Sequence, residues 1–396
     1  MSVVSGPATG KDFFDREDEV KAVVESLRRD SILLVAPRRY GKTSVMREVE
    51  RKLTERGYLC LYLDVMSVYS PKDFVFRLAI AAFDTSPEAR GSFLENMKSS
   101  FARLGERLQE FEVSTSGFKA KFVKGVKEEI SDDNWSSKGY DVFNAIKHLS
   151  EKNCICIIVD ELSECINNMK KRDEETAREF LQWLRSTRQT MSEDLKFIVG
   201  GSVSFKGIVR NFGSLAWIND LKPITISGFS EEVALKFIKK AFEDSGWDYK
   251  EEIGLKILEC VGAPYIPYFI SIFLSMIFED ERWLSEKDIE ELYNSKLLGA
   301  HGRGYFDYYR QRLGIYYGGV LARSAEDILR EACLTEEGLP KALAFNLFQK
   351  ATEIDDEDKL LDLLYDLEND FYIKFDAENI RFQSKVLRDW WRLYNV

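Results

Sequence analysis

Apolar positions along this chain follow two regimes. Up to about residue 228, short apolar runs alternate with amphipathic stretches of period near 3.6. The runs are SILLVA (31–36), YLCLYLDV (58–65), CICIIVD (154–160), LKFIVGG (195–201) and PITISG (223–228). They predict strands buried on both faces, and the helices between them predict an α/β fold with a parallel, doubly wound sheet. An amphipathic helix with Val20, Val23, Val24 and Leu27 leads into the first strand. A second helix runs to about Arg56 and stops at Gly57, and further helices are expected around 172–190 and 203–212. The segment 84–137 breaks this rhythm and reads as an insertion. It has a helical part with Phe93, Met97, Phe101 and Leu104, then an alternation, FEVSTSGFKAKFVKGVKEEI, that predicts a small β-hairpin over 113–130.

From Ser230 onward only helical periods remain, which predicts a helical lid domain over 230–305 after an α/β domain over 1–229. The last part, 306–396, shows three short helices (320–333, 338–351, 356–369) and two strands, FYIKFD and NIRFQS, around a turn at Ala377-Glu378. A helix through Trp390-Trp391 closes it, and that order predicts a winged helix. The length of 396 residues fits two or three domains at roughly 150 each. An apolar content of 45% with 13% aromatics excludes a disordered or collagen-like chain.

The formal charge of −11 repels polyanions and acidic membrane surfaces, so any nucleic-acid contact has to be local. The most apolar stretch, Pro264 to Phe278, includes Ser271 and Ser275 and ends at Glu279. It falls short of the ~20 residues of a membrane span and reads as a buried helix. Neither a basic leader nor an apolar block opens the chain, and the expected location is cytoplasmic. The six cysteines lack C-x-x-C spacing and read as reduced thiols, mostly of the core.

The chemistry concentrates in two segments. Ala36-Pro37-Arg38-Arg39-Tyr40-Gly41-Lys42-Thr43, with Ser44 next, follows a strand and opens a helix, the setting a P-loop requires. Backbone N–H groups there can curl around phosphate oxygens at a helix N-terminus. Lys42 would reach the β- and γ-phosphates of ATP, and the Thr43 hydroxyl would ligate Mg2+. About 120 residues later the CICIIVD strand ends in Asp160-Glu161, an acid pair at the distance this chemistry uses. Asp160 would hold the Mg2+ through water, and Glu161 would deprotonate the attacking water. The strand ending at Ser202 is expected between the other two, where its hydroxyl could sense the γ-phosphate or cap a helix. No N-K-x-D reads guanine, so adenine is the expected base.

With these residues the chain resembles prokaryotic P-loop ATPases of the AAA+/STAND type, a group that includes the archaeal ATPases. FFDRED (13–18) is similar to the group's "F-x-G-R-E" element beside the adenine and ribose, with Asp15 in place of the glycine. The resemblance implies Phe14 and Arg16 on the adenine side. Gly262-Ala263-Pro264 is similar to the lid's G-x-P pattern, which implies Pro264 at the nucleotide. It also implies a trans-acting arginine before the last strand, where Arg210 stands, with Arg185 and Arg188 as other contacts for a subunit or nucleic acid.

The third helix of the expected winged helix carries eight acids from Asp355 to Asp370 against the single base Lys359, and such a helix repels phosphate. A protein-facing or autoinhibitory module is therefore expected. Lys119, Lys121, Lys124 and Lys127 form the one concentrated basic group. The leading reading is a slow Mg2+-dependent ATPase acting as a switch, with a protein partner or self-association and no membrane. The rivals are a DNA-associated AAA+ loader or transposition-type regulator, favoured by DNA-stimulated turnover, and a scaffold that keeps ATP without hydrolysing it.

Overall fold

The computed structural model describes residues 8–10, 13–37, 39–98, 100–101, 118–149, 154–201, 205, 208–209, 212, 215–280 and 284–395. The chain divides into two compact units. One takes Arg16–Val35 and Lys42–Thr225; the other takes the chain up to Asp15, Ala36–Gly41 and everything from Ile226 onward.

The first unit is built on five parallel strands. These are β1 (Ser31–Val35), β2 (Tyr58–Asp64), β3 (Cys154–Asp160), β4 (Leu195–Gly201) and β5 (Leu221–Thr225), in the order β2-β3-β4-β1-β5. The strand expected between the other two is there: β4 pairs with β1 through Ile32 and Ile198, and with β3 through Val159 and Val199. Helix α1 (Glu17–Ser26) precedes β1, and α2 (Lys42–Glu55) follows it. Val45, Met46, Val49 and Leu53 of α2 recur on one face and are buried; Gly57, at φ +84°, then turns the chain into β2. Between β2 and β3 lie α3 (Pro71–Phe83), α4 (Pro87–Lys98), α5 (Phe118–Glu129) and α6 (Trp135–Lys147). Ser70 caps α3 by accepting the Asp73 N–H, with Pro71 in the first turn. After β3 come α7 (Leu162–Arg172) and α8 (Glu174–Thr190), the latter capped by Asp173.

One expectation fails here. The hairpin predicted over 113–130 is a helix, α5, from Phe118 onward; its 113–117 part lies outside the described residues. Phe118, Phe122 and Val126 are four apart, a spacing that satisfies the period of two and, nearly, that of 3.6. Packing decides: Phe122 stacks on Phe83 of α3 with ring centres 4.3 Å apart, and Phe118 lies 5.9 Å from the same ring. The lysines consequently do not share a hairpin face. They spread around a helix, and Lys119 pairs with Asp84 at 2.7 Å. The sequence reading also passed over α3, whose buried face packs on β2, and α6, which packs on α3.

The second unit is largely helical. It contains α9 (Glu231–Asp244), α10 (Glu251–Val261), α11 (Pro267–Phe278) and α12 (Glu286–Leu292), then a π-turn over Tyr293–Leu297. Next come α13 (Ala300–Tyr316), α14 (Gly319–Ala332), β6 (Leu339–Pro340), α15 (Lys341–Thr352) and α16 (Glu357–Asn369). Strands β7 (Ile373–Phe375) and β8 (Asn379–Phe382) and helix α17 (Lys385–Tyr394) end it, with the sheet in the antiparallel order β6-β8-β7. The apolar stretch at 264–278 becomes α11, whose Phe269, Ile270, Phe273 and Leu274 are all buried. No helix among the described residues is long and apolar enough to cross a membrane.

At the centre of this unit Arg312 donates to Asp370 at 3.0 Å, with both side chains almost fully buried, and the Tyr317 hydroxyl donates to the other carboxylate oxygen at 2.9 Å. Removing one partner strands the other charge away from water. Asp370→Ala is expected to cost this unit about 3–5 kcal/mol, read as faster exchange of the α13 amides in native-state hydrogen exchange; a loss below about 1 kcal/mol would contradict the assignment.

Candidate functional site

The sheet brings the two chemical segments of the first unit together. Lys42 and Thr43 open α2 directly beyond β1, and Asp160 ends β3 two strands away. Asp160 is 3% exposed and Lys42 7%. The Lys42 Nζ lies 3.1 Å from Asp160 Oδ1 and 3.0 Å from Glu161 Oε1. Thr43 Oγ1 donates to Asp160 Oδ2 at 2.8 Å. Glu161 takes the left-handed backbone conformation at φ 62°, and its N–H donates to Asp160 Oδ1 at 2.9 Å before α7 begins. A non-glycine residue in that conformation is uncommon, and here it turns two successive acids toward one lysine.

Burial alone pushes the Asp160 carboxyl up. The charge of Lys42 and the hydroxyls of Thr43 and Tyr62 outweigh it and hold the group below the usual carboxylate range. Tyr62 donates to Asp160 Oδ2 at 2.9 Å; burial and the Asp160 charge push its phenol well up. Gly200 of β4 closes the site from the sheet side. A Cβ there would stand 2.9 Å from Asp160 Oδ1 and 2.8 Å from the Met46 sulfur, so only glycine leaves room for the carboxylate.

The donor set suits a cation accompanied by phosphate. One ammonium against two carboxylates leaves a deficit of one positive charge, which a divalent ion would reverse. Among the described residues no group of three acidic, histidine or cysteine side chains could hold a metal by itself, so an ion here needs oxygens from phosphate or water, the habit of Mg2+.

The remaining expected site residues fall in several places. Ala36 to Gly41 belong to the second unit. Ala36 and Pro37 are buried, and Gly41 takes φ +88°, which suits glycine. Arg39, itself at φ 72°, lays its guanidinium 4.1 Å from the Tyr268 ring centre and donates to the Tyr305 carbonyl at 3.0 Å. Tyr40 is 2% exposed and meets Phe371 edge-on at 4.7 Å. Both side chains are engaged in packing, which leaves their backbone as what they could offer a phosphate. Ser44 is half-buried. Phe14 packs on Phe237 and Phe229 at 5.3 and 6.2 Å in the second unit, while Arg16 is buried in the first and pairs with Glu19. Asp15 between them has φ 44°, the conformation a glycine takes freely. Pro264 lies against Gly228, whose Cβ would come within 3.0 Å of it.

Arg38, Ser202 and Arg210 lie outside the described residues. Arg188 is not a surface contact: it is 3% exposed and grips Asp220 at 2.9 and 3.0 Å and the Trp217 carbonyl at 2.7 Å, inside the first unit. Tyr62 and Gly200 were not singled out from sequence. The glycine pair inside an otherwise apolar strand was the available signal for a close approach; Tyr62 gave none, since a tyrosine suits any half-buried strand.

A five-stranded parallel sheet with a lysine and threonine at the helix after β1 and an acid pair at the end of β3 defines a P-loop ATPase fold. The chain belongs to the family of ATPase domains found predominantly in Archaea, which matches residues 13–265. Among solved structures it is similar to a Walker-type ATPase of Pyrococcus abyssi, with 19% identity, a TM-score of 0.67, and 99% of this chain and 100% of that one covered. Likeness at that identity concerns the fold. Cdc6p of Pyrobaculum aerophilum (12% identity, TM-score 0.43, 99% and 96% covered) and ORC2 of Aeropyrum pernix (11%, 0.47, 98% and 96%) are more distant. No curated protein matches the sequence.

The ion pairing makes a pH prediction. Asp160 ionises below its unfolded value of about 3.9, so its stabilising contribution is complete above that value and is lost as pH falls through the lower native one. Without Lys42, burial is opposed only by the Thr43 and Tyr62 hydroxyls and the Glu161 N–H, and the native value rises. Lys42→Met is expected to lose about 1–3 kcal/mol at neutral pH, and urea unfolding should show that deficit shrinking toward about pH 4 as the carboxyl takes up a proton. A deficit that stays constant over this range would contradict the pairing.

Proposed function

We propose that this protein binds ATP with Mg2+ and hydrolyses it slowly, as a switch of the AAA+/STAND type. One observation carries the reading: Lys42 and Thr43 meet Asp160 and Glu161, 117 to 119 residues further on, within 3.1 Å. In this reading the Lys42 ammonium leaves its carboxylates for the β- and γ-phosphates, and the backbone of residues 36–41 wraps them. Thr43, through its hydroxyl, and Asp160, through water, would hold a magnesium ion, which would offset the charge of the phosphates. Glu161, freed from Lys42, orients and deprotonates the attacking water. Phe14, Arg16 and Pro264 serve the adenine side, Ser202 the γ-phosphate, and Arg210 a neighbouring copy.

We further read 230–305 as the lid and 306–396 as a winged helix that faces protein rather than DNA. The exposed acids of α16 (Glu357, Asp358, Asp362) and of the turn before it (Asp355, Asp356) support this reading, because they would repel a phosphate backbone. Its Leu360, Leu363, Leu364 and Leu367 are committed to the core. Binding at the γ-phosphate would then change the placement or assembly of these parts.

Lys42→Ala is expected to abolish nucleotide binding in calorimetric titration. Glu161→Gln should keep binding but lower phosphate release by about 10²–10⁴-fold, and turnover equal to that of the unaltered protein would contradict the assigned base.

A further inference from the structure

The acid that would face the ion is held by more than the two P-loop side chains. Strands β2 and β3 run parallel and in register, with Tyr62 beside Ile158 and Asp64 beside Asp160. Positions two apart on a strand share a face, about 6.6 Å from each other. A tyrosine two residues short of the strand end therefore has the length to reach the last carboxylate of the neighbouring strand. The Tyr62 hydroxyl does so, donating to Asp160 Oδ2 at 2.9 Å, the oxygen that also accepts from Thr43 at 2.8 Å.

The tyrosine ring is itself fixed. The Arg47 guanidinium, from the second turn of α2, stacks 3.3 Å from the ring centre, and Arg47 is held by Glu50 at 2.9 Å. On the opposite carboxylate oxygen, the Glu161 N–H and the missing side chain of Gly200 fix what Tyr62 and Thr43 leave open.

These contacts divide the work on Asp160. Lys42 and Thr43 are the groups a nucleotide and its ion would draw away. Tyr62 touches neither under the proposed reading, and its bond would remain when theirs are exchanged. We propose that Tyr62 is a positioning residue: it keeps the Asp160 carboxylate aimed at the magnesium ion once Thr43 turns to that ion, with Arg47 as the stacked support that holds the ring. This rests on the reading of the site as one for ATP and Mg2+.

The test uses the full-length protein and a fluorescent N-methylanthraniloyl-ADP, titrated first in EDTA and then with increasing Mg2+. Tyr62→Phe keeps the ring and its stacking and removes only the donor. It is expected to bind the probe in EDTA as the unaltered protein does, and to need roughly 10–100-fold more Mg2+ for the metal-dependent gain. Arg47→Met should show a smaller shift of the same kind, because the hydroxyl survives but its ring loses support. A purely structural role would weaken binding equally with and without the ion. An unchanged Mg2+ requirement in Tyr62→Phe, or equal losses in both conditions, overturns the inference while leaving the nucleotide reading standing. If the unaltered protein takes up no probe in either condition, the nucleotide reading falls and this inference falls with it.

Discussion

One ammonium between two carboxylates organises the site. Lys42 is almost buried, and a buried charge without partners would cost several kcal/mol. Asp160 and Glu161 supply the partners, and most local features of the site serve that meeting. Gly41 lets the chain turn into α2 with Lys42 at its start. Glu161 takes a left-handed backbone so that adjacent acids face one point. Gly200 omits the side chain that would displace Asp160. On the proposed reading, phosphate oxygens take the place of the carboxylates around Lys42, and a divalent ion takes the place of Lys42 beside Asp160.

The sheet makes the meeting possible over a long sequence separation. Strand β4 sits between β1 and β3, so their carboxyl ends lie on one edge with a gap of one strand between them, where ligands of open α/β sheets bind. Helices α3, α5, α6 and α8 contribute Phe74, Phe83, Phe122, Phe143 and Phe180 to the core of this unit.

Much of this was legible in the sequence, for physical reasons that differ by residue. Lys42, Thr43, Asp160 and Glu161 were legible together, because a GKT at the start of a helix after a strand and an acid pair at the end of a later buried strand are specific in combination. The five strands were legible because burial on both faces demands unbroken apolar runs. The hairpin reading of 113–130 failed because Phe118, Phe122 and Val126 fit either period, and only Phe83, some 35 to 39 residues away, chooses between them. Arg188 was read as a contact for a subunit or nucleic acid because its partner, Asp220, lies beyond the intervening strand β4 and no local pattern pairs them. Tyr62 was invisible because its role depends on register between two strands, which no local pattern records.

The most direct test of the central claim is a crystal structure of the protein grown with Mg2+ and a non-hydrolysable ATP analogue. The account predicts that the Lys42 ammonium moves onto the terminal phosphates and gives up Glu161, with a metal ion beside Thr43. An analogue bound elsewhere, with Lys42 still paired to both carboxylates, would contradict it.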